Sequence, residues 1–107
     1  MKLPLRGLPR DVVEDLAEYI SEVVDAEKVD QFYIGRTTDI PSTINRHDPE
    51  DMIKLYETES TDNAIEVEDT LIKAFYNHPK CDNDNPHGGG GVSIEFVSNV
   101  YLALWYV

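Results

Sequence analysis

The residue best placed to do chemistry is a carboxylate set among apolar side chains. From Thr61 to just before Pro79, TDNAIEVEDTLIKAFYNH predicts a helix, with Thr61 as N-cap and Asp62 in the first turn. At roughly 100° per residue, Ala64, Ile65, Val67, Leu71, Ile72 and Phe75 fall on one side. Glu68 lies near the middle of that stripe, while Glu66, Asp69 and Lys73 point away. A carboxylate facing a core is costly unless a cation, a hydrogen-bond donor or a metal meets it. Helix geometry leaves two readings open: an ion pair with an arginine at the core rim, or a metal-binding or catalytic carboxylate in a cleft.

Other reactive groups are spread along the chain. Pro41 and Pro49 bracket a short helix, with Ser42 as a possible cap, on which Thr43 shares a face with Arg46 and His47. Arg46 suits either of two roles, partner to Glu68 or clamp for a phosphate. Tyr33 and Gly35 lie in QFYIGRT, where the glycine allows a bend or the close approach of a ligand. His78, Cys81 and His87 are zinc-ligating types, but their spacing fits no standard finger. The loop PKCDNDNPHGGGG contains Asn83, Asn85 and four consecutive glycines, and lacks the Lys and Ser/Thr of a phosphate-binding P-loop.

The elements that must position these groups follow from periodicity. Residues 1–10 read as an extended lead. Asp11 to about Ala26 is an amphipathic helix, apolar at Val12, Leu16, Ile20 and Val23 and acidic at Glu14, Asp15, Glu18 and Glu22. Gln31 to Thr37 and Met52 to Glu59 read as strands; in the second, Ile53, Leu55 and Glu57 face one way, Met52, Lys54 and Tyr56 the other. GVSIEFVSNVYLALWYV reads as one or two strands, with Ser98-Asn99 as a possible turn. Its last segment is apolar on both faces, as a central strand is. A length of 107 residues predicts a single domain, 1–107. The N-terminal extension and helix occupy 1–30, the core 31–92 and the C-terminal strands 93–107. The fold class expected is α/β (α+β), a small, mainly antiparallel sheet flanked by helices with the C-terminal strand inserted in it.

Nine basic and 21 acidic residues leave a net charge of −12, which opposes non-specific attachment to a polyphosphate. No apolar run is long enough for a membrane span, and MKLPLRGLPRD lacks the apolar core of a signal peptide. A lone cysteine, Cys81, excludes an internal disulfide and fits a reducing, cytoplasmic setting.

A strand with Tyr-Ile-Gly, a short helix ending Arg-His, a strand, a helix carrying Glu and an Asn-rich loop, in that order, resembles the GIY-YIG nuclease superfamily over roughly Gln31 to Val92. Tyr33-Ile34-Gly35-Arg36-Thr37 is similar to its second motif, and Glu68-Asp69-Thr70-Leu71-Ile72 to the start of its metal-binding helix. Three features depart from the family. The strand bearing its first motif is missing ahead of Tyr33, and Val100 to Val107 is the candidate to fill that slot in a permuted connection, with Tyr101 or Tyr106 supplying the aromatic hydroxyl. The family's catalytic Arg position falls on Thr43, one turn before Arg46. The surface is also more acidic than that of members that cut DNA.

The resemblance implies an endonuclease that hydrolyses DNA phosphodiester bonds with one Mg²⁺ (or Mn²⁺) on Glu68. Tyr33, Arg46, His47 and Glu68 are then catalytic, and Gly35, Arg36, Asn83 and Asn85 contact substrate. The chemistry is consistent: a hard cation prefers a carboxylate oxygen, and a guanidinium matches phosphate oxygens. The alternative is a catalytically degenerate acidic protein, an inhibitor or nucleic-acid mimic, that binds a basic protein partner.

Overall fold

A computed structural model describes residues 1–86 and 97–107. The element order is α1 (Pro9–Val24), β1 (Val29–Thr37), α2 (Ile40–His47), β2 (Asp51–Thr58), α3 (Thr61–Phe75) and β3 (Ser98–Tyr106). The fold is small α+β: a three-stranded antiparallel sheet of order β1-β3-β2 with three helices. The last strand is therefore the central one, as its two apolar faces require. Each of its sides must be buried, because strands pair on both edges and side chains alternate between both faces.

Alternation divides the sheet. Phe32 and Ile34 of β1, Leu55 of β2, and Val100, Leu102 and Leu104 of β3 belong to one core with Leu16, Ile20 and Leu71 of the helices. α1 and α3 both pack on this face, α3 against all three strands. The odd-numbered positions Tyr33, Gly35 and Tyr101 take the opposite face, where Gly35 stands directly across from Tyr101 in the ladder.

Several local expectations shift. α1 starts at Pro9, since proline suits the first helical turn, where its missing N–H costs nothing. Ser60, not Thr61, caps α3, its side chain accepting from the Asn63 amide; Asp39, not Ser42, caps α2, accepting from the Ser42 amide. α2 ends at Asp48 in the left-handed region, with φ 51°. Ser98 and Asn99 lie within β3 rather than in a turn. In β2 the expected alternation fails after Lys54, where a register shift against β3 places both Leu55 and Tyr56 in the core. The lead is not loose: Leu5 donates to the Leu55 carbonyl and accepts from the Glu57 amide, pairing with the outer edge of β2. His87, the Gly88–Gly91 run and the first half of the expected C-terminal strand pair lie outside the described residues.

Candidate functional site

Glu68 enters the core as its place in the α3 stripe demands, with only 2% of its surface exposed. Its Oε1 accepts a hydrogen bond from Arg36 Nε at 3.1 Å. Of the two roles open to Arg46, partner to Glu68 or phosphate clamp, the first falls to Arg36. The reason is strand alternation: Arg36 follows Ile34 by two residues on β1, so it points to the helical face where α3 lies. Burial pushes the Glu68 carboxyl above its ordinary value, and the Arg36 bond opposes that push.

The opposite face holds a second group. The His47 ring, on the last turn of α2, lies 5.0 Å from the Tyr33 ring, and the Tyr101 ring is 6.3 Å from Tyr33 and 6.4 Å from His47. Arg46 is exposed, and its charge lowers the Tyr101 phenol against the larger rise from burial. Gly35 makes this packing possible. A Cβ there would stand 2.5 Å from Tyr101 Cζ and 2.8 Å from Tyr33 Cε1, with the Tyr101 hydroxyl closer still. The close approach that this glycine permits is thus occupied by the protein's own tyrosine. Tyr106, the other expected source of a hydroxyl, is at the far end of β3, where it donates to Asp51.

Burial, followed by the Glu68 charge, raises the Tyr33 phenol, and burial raises that of Tyr101. Both are neutral hydroxyls at physiological pH, able to donate hydrogen bonds and not to act as bases. Burial, aided by the Arg46 charge, lowers the His47 imidazole below its ordinary value of 6.5. At neutral pH His47 therefore carries a free lone pair.

The remaining candidates have structural surroundings. Thr43 is buried, its hydroxyl bridging Thr37 and the Asp39 carbonyl. Asn83 uses both ends of its amide on β1: Oδ1 accepts from the Ile34 amide at 3.0 Å, and Nδ2 donates to the Ile34 carbonyl at 2.8 Å. With Phe32 bonded to the Lys80 carbonyl and the Asp82 amide, the segment 80–83 extends the sheet by a short parallel stretch. Asn85 is exposed. Neither ring nitrogen of His78 is available to a zinc ion. Nε2 is 3.1 Å from Asp25 Oδ1, and Nδ1 accepts from the Lys80 amide. Sequence reasoning read Asn99 only as a turn residue, whereas its Oδ1 is buried with no hydrogen-bond partner among the described residues. No periodicity marks it, because it sits in an apolar strand segment that reads as a turn.

The cation that the resemblance implies does not fit the pocket as it stands. One oxygen of Glu68 is committed to a guanidinium, and a side chain 3% exposed leaves no room for the waters that Mg²⁺ retains. Among the described residues, no group of three His, Cys, Asp or Glu side chains gathers around it. Among the same residues, no helix is long and apolar enough to cross a membrane. No family model, curated protein or solved structure matches the chain.

Proposed function

We propose that this chain is a divergent, permuted relative of the GIY-YIG nucleases that binds and cleaves a DNA phosphodiester where Tyr33, Arg46, His47 and Tyr101 meet. One observation carries this reading: residues far apart in sequence, from β1, α2 and β3, converge on one face of the sheet. The central placement of β3, with Tyr101 beside Gly35 and the Tyr33 ring, is what a C-terminal strand filling the missing first-motif slot requires. The exposed Arg46 guanidinium takes the phosphoryl oxygens, and a phenol hydroxyl donates to them. Neutral His47 accepts the proton of the attacking water as the water oxygen bonds to phosphorus. The P–O bond to the leaving sugar oxygen breaks, and that oxygen takes a proton from solvent. No step passes through a metal. A cytoplasmic location belongs to the same proposal, resting on the lone Cys81.

The test is incubation of plasmid and single-stranded DNA with the chain in Mg²⁺, Mn²⁺ or EDTA. Cleavage that falls by about a hundredfold in Arg46→Ala, an exposed position, is the expected outcome.

A second reading is favoured by the closed Arg36–Glu68 pair together with the charge of −12. Here the fold is kept and cutting is lost, and the acidic surface binds a basic protein partner. Absence of cleavage, with no DNA retained at low salt, would defeat the nuclease and leave this second reading.

A further inference from the structure

The Arg36–Glu68 pair differs from the other ion pairs of the described residues. Arg6–Glu57, Lys54–Glu57 and His78–Asp25 each include a side chain more than a third exposed (67%, 42% and 65%), whereas Arg36 and Glu68 are 6% and 3% exposed. We propose that the Arg36 guanidinium stands where a divalent cation would sit on Glu68, so that this site holds no divalent ion. The inference rests on the GIY-YIG-like reading only for the place at which a metal is sought.

Three features support it. A guanidinium at 3.1 Å from the carboxylate neutralises the charge that would draw a dication, and it repels a second cation at the same oxygen. The pair is fixed from both sides. Ladder pairing with Val100 holds Arg36 on the helical face, and Glu68 lies in the apolar stripe of α3. The cluster of Tyr33, Tyr101 and His47 lies on the other face, where exposed Arg46 already supplies a cation, so an anion reaching those rings meets positive charge without a metal.

The experiment is a Mn²⁺ titration of the whole ¹⁵N-labelled chain, read as paramagnetic broadening of amides next to Glu68. In the wild type the amides of Val67, Glu68 and Asp69 are expected to stay sharp at millimolar Mn²⁺. Selective broadening there that Glu68→Gln abolishes would overturn the proposal. In Arg36→Met the carboxylate loses its internal cation, and Mn²⁺ affinity at Glu68 should rise about ten- to a hundredfold. A folded Arg36→Met chain that gains no affinity would equally overturn it; if that variant does not fold, the wild-type and Glu68→Gln comparison still decides. Cleavage that disappears in EDTA, together with Mn²⁺ broadening at Glu68, would sink this inference and spare the nuclease. Absence of cleavage with every metal would do the reverse.

Discussion

His47 and Glu68 show how much one side chain's surroundings decide. His47 is pushed below 6.5 chiefly by burial and secondarily by Arg46. Its imidazole resonance should therefore titrate below that value, and Arg46→Ala should move the midpoint only part of the way back. A full return would mean that charge, not burial, dominates. The linkage sign follows: between the lowered folded value and 6.5 the unfolded chain binds a proton that the folded chain refuses. The His47 contribution is thus present above 6.5 and lost as the pH falls through that window. Glu68 is a different case, a charge whose partner is also buried. Glu68→Ala removes the buried carboxylate from the pair and should cost about 3–5 kcal/mol in urea unfolding, whereas Arg36→Met with Glu68→Leu should recover most of that loss. A double variant as unstable as the single one would assign Glu68 a role beyond pairing. That Glu68 needed a partner could be read from its place in the stripe. Which arginine would answer could not, because Arg36 and Arg46 are both within the sequence distance that a loop can span.

At the scale of elements, the outer edge of β1 is completed by a side chain. Asn83 occupies the Ile34 amide and carbonyl as a neighbouring strand would, and the segment 80–83 carries it there. Asn83→Ala should cost about 1–3 kcal/mol, as expected when partly buried backbone groups lose their partners. It should also speed hydrogen exchange at the Ile34 amide more than at Leu102, on the central strand. Equal acceleration at both would mean global destabilisation and no local edge. The sequence marked Asn83 as a turn residue or a substrate contact, and neither description contains this pairing. Helix α3 and the central position of β3 were legible, because a 3.6-residue stripe and a two-faced apolar run each have one compact solution. The break in β2 was not, since a register shift depends on the strand beside it.

For the molecule as a whole, charge is the governing term. Twelve uncompensated negative charges repel one another in a compact body. Raising NaCl toward about 0.15 M should therefore raise the thermal midpoint, since screening begins at a Debye length of about 8 Å. A midpoint that falls with salt would show that attractive surface pairs outweigh the repulsion. The same field opposes the long-range approach of DNA, so any binding at Arg46 has to be short-ranged.

Amphipathic periods, proline positions and the oddly placed Glu68 are local properties, and they determined by themselves the three helices, the strands around them and the demand for a cation, a donor or a metal beside Glu68. Tertiary structure alone decided that Arg36 supplies that cation, that Gly35 makes room for Tyr101, and that Asn83 closes a sheet edge. Each of these is a contact between residues 32 or more positions apart in the chain. Side-chain type states what a group requires, and only the packing of strands and helices determines which neighbour meets the requirement.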